Sequence, residues 1–412
     1  MMETKNVKQQ LLALNGDEAV AYAVKQADVD VVAAYPITPQ TIIVEKYSEY
    51  VANGEVNTEF VCTESEHSAM AACIAASATG ARTFTASASA GLALMHEMLF
   101  VASGCRTPVV MAIANRALSA PLNIHGDQSD SIAERDSGWV QIYAENAQEV
   151  YDSVVQAFRI GEHADVLLPI IVAFDGFIVS HSLENVNVLS DDAVKAFVGE
   201  RKLPNVITHE GKVVPFKLDP ANPMTMGPIA FPNYYFEFKR QQEEAMKNAV
   251  AVIQQVHDEY ASLSGRAYGD GLVEAYRLED AEVAAVCVGS AAGTVKSIVD
   301  ELRSEGVKAG MLKLRTFRPF PVEAVRSALE GVKAVAVFDK SLSFGGNGGA
   351  VFHEVRHAMY DAKMHPFILD YVYGLGGRDT SPEEFKRVFD DLHNVVHAGR
   401  VDKVVHFVGL RE

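Results

Sequence analysis

The chain has 412 residues, enough for two or three domains, and its 49% hydrophobic and 22% charged content is that of a globular fold. A formal net charge of -18 argues against nucleic acid or an anionic membrane surface as partner, and the longest apolar run, Val166 to Phe174, is nine residues broken by Pro169, too short to span a bilayer. The four cysteines, Cys62, Cys73, Cys105 and Cys287, form no C-x-x-C pair, so neither a disulfide framework nor an iron–sulfur cluster held by this chain alone is expected, and a reducing cytoplasm fits best.

In chain order, Met1-Met2-Glu3-Thr4-Lys5 is polar and leads into no signal-peptide core. The spacing predicts a helix over Asp17 to Gln26, capped by Asn15 or Asp17. The run Val29 to Ala34 reads as a buried strand, and Thr41 to Val51 as an amphipathic helix. Between them lies Tyr35-Pro36-Ile37-Thr38-Pro39-Gln40. Its two prolines fix φ and push Tyr35 and Thr38 out of the helical region, so the loop is stiff. It presents Thr38 at the carboxyl end of a strand, where open α/β sheets bind ligands. It serves equally as a rigid turn with Thr38 or Thr41 as helix cap. Further strands are expected at Glu59 to Cys62, Ala81 to Thr85, Pro108 to Ile113 and Val166 to Ala173. Helices are expected at Glu66 to Ser77, Leu92 to Ser103 and Ala147 to Gly161, with a polar loop over Asn115 to Asp130. This alternation predicts a mostly parallel sheet covered on both faces.

The pattern breaks at Lys202 to Pro232, where six prolines and little periodicity indicate an extended surface excursion. A long charged helix over Asn233 to Ser264 follows. A second α/β unit then begins, with strands near Val283 to Gly289, Ala309 to Leu314, Ala334 to Phe338 and Phe367 to Val372. Its helices fall near Thr294 to Glu305, Val322 to Leu329, Val351 to Asp361 and Pro382 to Leu392. The domain boundary is placed at residue 268.

Two residues stand out for chemistry beside the Thr38 loop. Glu66 opens a helix, where the free backbone donors stabilise a carboxylate; it can be a catalytic acid or only a helix-start acid, and Glu64 competes with it. Arg116 follows a buried strand at the same sheet edge. It can grip a carboxylate with two parallel hydrogen bonds, or pair with Asp127 or Asp130 to hold its own loop. Three motifs point elsewhere. His353-Glu354-Val355-Arg356-His357 matches H-E-x-x-H of zinc hydrolases, but Arg356 sets a cation beside the metal and no G-x-x-H follows. Gly269-Asp270-Gly271 looks like the start of a thiamine-diphosphate–magnesium motif, but Ala291 to Gly310 holds no closing Asn, so a turn is the better reading. Gly345-Gly346-Asn347-Gly348-Gly349 is either a phosphate cradle or a flexible turn.

Taken together, Tyr35 to Pro39, Ser65-Glu66, Thr85 to Leu92, Arg116, Gly126 to Asp130, Phe174 to Phe177, Ser264 to Tyr268 and Leu314 to Phe320 occur in this order along nearly the whole chain. The chain thereby resembles the alpha subunits of the multi-subunit 2-oxoacid:ferredoxin oxidoreductases, most closely those acting on pyruvate. The resemblance implies an α/β fold. Residues 1–268 would be the pyrimidine-binding domain of a thiamine-diphosphate enzyme, and residues 269–412 a transketolase C-terminal-like domain. It implies that Glu66 hydrogen-bonds N1′ of the cofactor's aminopyrimidine as the catalytic residue, with Pro36 and Ser89 also on the cofactor. It implies that Thr38, Arg116 and Ile37 contact the 2-oxo acid. A beta subunit would hold the diphosphate and Mg2+, and [4Fe-4S] clusters would sit in partner chains. Gamma and delta subunits, ferredoxin and CoA complete the expected partners. No metal site is expected in this chain. Another 2-oxo acid (2-oxoglutarate, a branched-chain acid or oxalate) is the alternative substrate, and a zinc hydrolase using His353 and His357 the remote alternative activity.

Overall fold

A computed structural model describes residues 8–411 of the chain, so the polar opening Met1 to Lys5 lies outside the described residues. Five short strands are largely buried because both of their faces are covered, as parallel strands require, and a sixth, Glu59–Cys62, lies more exposed at the edge. They build a seven-stranded sheet in the order Thr316–Arg318, Val140–Ala144, Ile170–Asp175, Val109–Asn115, Thr83–Ser87, Val31–Ala34, Glu59–Cys62. Every pairing is parallel except that of Thr316–Arg318. The carboxyl ends therefore come to one edge: the Tyr35 to Gln40 loop, Thr63 to Glu66, Ser87 to Gly91, Asn115 to Ala117 and Asp175-Gly176.

Helices cover both faces of this sheet. Ser89–Gly104 is pinned by Leu92, Met95 and Leu99, which share one face at i, i+3 and i+7 and are fully buried. Each such side chain contributes about 1.5–3 kcal/mol relative to exposure. Asn15 caps Gly16–Gln26 in a reciprocal box with Glu18. Asp17, the other candidate cap, is instead wholly buried, and burial pushes its carboxyl well above the usual range. Neither Thr38 nor Thr41 caps the next helix: Thr41–Ala52 starts after Gln40, with no side-chain cap.

Several elements differ from the sequence reading. Val140–Ala144 is a buried central strand although it carries Gln141, whose amide donates to Ser131 O at 3.0 Å. Gln9–Leu14 and Glu184–Leu189 pair as an antiparallel ribbon far apart in sequence. The strand expected from Val166 starts only at Ile170, because Pro169 has no N–H for the ladder. The excursion 202–232 carries one small hairpin, Asn205–Ile207 with Val213–Pro215. The long helix is Tyr235–Ser264, ended by Gly265 in the left-handed conformation.

The second sheet runs Val273–Tyr276, Ala309–Leu314, Val283–Val288, Ala334–Asp339, Phe367–Val372, Val405–Phe407, parallel but for its first strand. The chain past residue 268 then returns to the first sheet. Thr316–Arg318 pairs with Val140–Ala144, and Tyr143 N–H donates to Arg315 O at 2.8 Å. Buried charges seal this return. Lys313 meets Glu149 at 2.7 Å and Glu145 at 2.8 Å, and Arg315 lies 3.2 Å from Glu149. Burial alone would lower the Lys313 ammonium; the three carboxylates around it, Glu149 foremost, overcome that and hold it above its ordinary value. Arg266 and Tyr268 close on Asp152 at 2.7 and 2.6 Å. The stretches Ser264 to Tyr268 and Leu314 to Phe320 thus serve to join the two sheets. Among the described residues no helix is long and apolar enough to cross a membrane.

Candidate active site

At the carboxyl edge, Thr38 and Arg116 meet. Arg116 Nη1 donates to the Thr38 carbonyl at 2.9 Å and Nε to the Asn123 carbonyl at 3.0 Å. The guanidinium is therefore not paired with Asp127 or Asp130, and three of its five N–H groups are left over from these two bonds. Arg116 is buried, whereas Thr38, Pro36 and Tyr35 are exposed and Ile37 is half-buried. The Thr38–Pro39 peptide is cis. Gly176 permits the approach of Pro39 and Asn115, since a Cβ there would sit 2.9 Å from Pro39 Cγ and closer still to the Asn115 carbonyl.

Asp130 binds the Arg116 and Ser89 segments into one unit. Its Oδ2 accepts from Arg116 N at 2.9 Å and Ser89 N at 2.8 Å, and its Oδ1 from Asn115 Nδ2 at 2.7 Å. Burial pushes this carboxyl up to about 7, against the N–H groups that favour its anion. Ser89 opens its helix with φ at 47°, in the left-handed region, and its hydroxyl donates to Ala117 O at 2.6 Å. Such a conformation costs about 1–3 kcal/mol and persists only where the surroundings impose it. Here the Asp130 and Ala117 bonds do so. Gln40 ties the Thr38 loop to the same place, donating to Tyr35 O at 2.9 Å and Ala86 O at 3.4 Å.

Glu66 is the first residue of the helix Glu66–Ala78, capped by Ser65, and is buried. Its carboxylate lies over Gly91, beside the hydroxyl of Ser87. Ser87 Oγ is buried without a hydrogen-bond partner among the described residues. Glu64, the competitor, is exposed and accepts from Ser68. The bare backbone of Gly91 thus makes room for a buried carboxylate and a buried unused hydroxyl, groups whose chemistry fits the polar edge of an aminopyrimidine ring.

The second domain buttresses the Arg116 loop. Asp127 Oδ2 accepts from Gly376 N at 2.9 Å, and Asn123 donates to Gly376 O at 2.9 Å. Asp175, buried, accepts from Lys340 Nζ at 3.1 Å and Ser290 N at 2.9 Å. Burial would raise its carboxyl, but the Lys340 ammonium and Ser290 hold it below the usual range. A cleft of about 720 Å³ opens beside Ala117 between this loop and Ser341, Phe344 and Leu375.

The rival motifs are spoken for. Glu354 is paired with Arg318 at 2.5 Å, His357 is exposed, and no group of three His, Cys, Asp or Glu suited to a metal occurs among the described residues. The helix after Gly349 offers its first N–H groups to Asp339 and Asp370 rather than to a phosphate. Asp270 caps a turn at the junction through Leu272 N and Val273 N, both at 2.9 Å. Sequence reasoning did not single out Ser87 and Gly91, which lie against Glu66, or Asp130 as the clamp between Ser89 and Arg116. Its available signal was a glycine standing inside the small-residue opening of an otherwise apolar helix.

Residues 22–258 match the family described as "Pyruvate flavodoxin/ferredoxin oxidoreductase, thiamine diP-bdg". The chain belongs to this family. Residues 281–385 match "Pyruvate:ferredoxin oxidoreductase core domain II". The chain is 49% identical to pyruvate synthase subunit PorA of Methanocaldococcus jannaschii, over 97% of this chain and 98% of that one. It is 44% identical to ketoisovalerate oxidoreductase subunit VorA of Pyrococcus horikoshii, over 97% and 98%. In fold it is similar to a solved 2-oxoglutarate:ferredoxin oxidoreductase from Magnetococcus marinus, with TM-score 0.73 and 20% identity, over 93% of this chain and 65% of that one. A split-gene transketolase is a more distant neighbour in fold. The architecture is thus that of the thiamine-diphosphate enzymes, an oxidoreductase chain with a transketolase-like second domain.

Proposed function

We propose that this chain is the alpha subunit of a multi-subunit pyruvate:ferredoxin oxidoreductase, which converts pyruvate, CoA and oxidised ferredoxin reversibly to acetyl-CoA, CO2 and reduced ferredoxin. The observation that carries this reading is the 49% identity to a pyruvate synthase subunit over 97% of the chain. When bound, thiamine diphosphate supplies the carbanion chemistry of decarboxylation and stores the electrons released. Glu66 hydrogen-bonds N1′ of its aminopyrimidine and moves the proton there. Arg116 holds the substrate carboxylate with its free N–H groups, and Thr38 offers its hydroxyl to the same end. Pro36 and Ser89 border the cofactor, and Ile37 the substrate.

The diphosphate, Mg2+ and the [4Fe-4S] clusters belong to partners: a beta subunit for the first two, and beta and ferredoxin-like gamma and delta subunits for the clusters. Electrons leave one at a time to ferredoxin. Exposed apolar side chains on the helix Ser89–Gly104 support docking of a partner: Leu94 and Val101, seven residues apart on one face, lie 52% and 38% exposed. Four free cysteines suit a cytoplasmic setting. The test is CoA-dependent ferredoxin reduction by the co-purified complex with a panel of 2-oxo acids. Pyruvate is expected to give the highest kcat/KM; a higher value for 2-oxoglutarate, a branched-chain acid or oxalate would overturn the assignment of substrate while leaving the family intact.

A further inference from the structure

Gly91 stands in the first turn of the helix Ser89–Gly104, between Ala90 and Leu92. Glycine is a poorer helix former than alanine there. Its backbone supplies no reason for it, because Gly91 is not among the residues with positive φ. Space does. A Cβ at Gly91 would lie 2.7 Å from Ser87 Oγ and 2.9 Å from Glu66 Cδ, and would collide with Glu66 Oε1. All three neighbours are side-chain atoms, two of them on the buried carboxylate group of Glu66.

We propose that Gly91 is a positioning residue: its missing Cβ leaves the socket in which the Glu66 carboxylate sits, and so sets where that carboxylate meets the aminopyrimidine. This deepens the reading of Glu66 given above and rests on it. The Cβ of an alanine would displace Glu66 and Ser87 rather than the backbone, since those side chains are what fill the space. The hydrogen bond that carries the proton at N1′ needs a heavy-atom separation of about 2.6–3.2 Å. A displacement on the order of 1 Å takes the carboxylate out of that range and can cost about a hundredfold.

The test uses the assembled complex. Gly91→Ala is expected to fold and to bind thiamine diphosphate with nearly unchanged Kd, because alanine favours the helix and the diphosphate grip is elsewhere. Hydrogen–deuterium exchange at C2 of the cofactor should fall by about 10- to 100-fold. A second measurement needs no cofactor: melting of the complex in a cycle with Glu66→Ala, which empties the socket. Gly91→Ala should raise Tm more in the Glu66→Ala background than in the wild type, because there the new methyl meets no carboxylate. Wild-type exchange in Gly91→Ala would overturn the proposal, as would equal Tm shifts in the two backgrounds or a loss of exchange matched by a loss of cofactor affinity. Failure of the underlying reading looks different: Glu66→Gln would exchange at the wild-type rate while the Tm cycle still showed coupling.

Discussion

Glu66→Gln in the assembled complex is expected to slow C2 hydrogen–deuterium exchange by about 10²- to 10⁴-fold, the usual span of a general acid–base contribution. The variant retains the volume of the side chain, so the socket over Gly91 and beside Ser87 stays filled. It retains a hydrogen-bonding group but not one that can take and return the N1′ proton. The helix start is unaffected, because Ser65 rather than Glu66 caps it through Ser68 N. Thiamine diphosphate affinity should therefore change little while exchange collapses. An unchanged exchange rate would move the role away from Glu66; the exposed Glu64, engaged with Ser68, would be the next residue to examine.

Arg116→Lys is expected to lower kcat/KM for the 2-oxo acid by about ten- to a hundredfold, the equivalent of about 1.5–3 kcal/mol for a charged hydrogen bond. Lysine keeps the charge but loses the planar fork. It must also give up at least part of the grip on the Thr38 and Asn123 carbonyls, which now fixes the loop to the sheet edge. Both KM and kcat should suffer, since the same fork binds the carboxylate and sets the angle of approach. Thr38→Val should cost less, because it removes one neutral donor of similar size and leaves the Thr38 carbonyl bond in place. C2 exchange should survive both changes. If Arg116→Lys kept wild-type kcat/KM for every 2-oxo acid tried, Arg116 would be only an anchor between Thr38 and Asn123.

The fold was legible where strands are buried on both faces and helices keep their period. Val31–Ala34, Val109–Asn115 and Ala147–Gly161 all fall within a few residues of their expected places, while the helix from Pro382 runs on to Ala398, past the expected Leu392. Val140–Ala144 was hidden because its buried Gln141 breaks the apolar run, and its partner Ser131 cannot be read locally. Gln9–Leu14 was hidden because its partner strand, Glu184–Leu189, follows all six parallel strands of the first sheet in sequence. The return of Thr316–Arg318 to that sheet is likewise a tertiary choice, sealed by Lys313 and Arg315 against Glu149. The placement of Glu66, Thr38 and Arg116 at the carboxyl edge of the first sheet was legible from strand ends and helix starts. Which atoms they offer was not. That the Arg116 fork rests on carbonyls rather than on Asp127 or Asp130, and that Asp130 instead clamps two backbone N–H groups, depends on loop geometry that no spacing encodes.

The central claim is that this chain supplies the aminopyrimidine half of a shared cofactor site, with Glu66 as its reacting group, and that a partner supplies the diphosphate and Mg2+ half. Calorimetric titration with thiamine diphosphate, with and without Mg2+, tests it most directly when run on the isolated chain and on the assembled complex side by side. The account predicts tight, Mg2+-dependent binding by the complex and weak or no binding by the chain alone. Tight Mg2+-dependent binding by the isolated chain would contradict it.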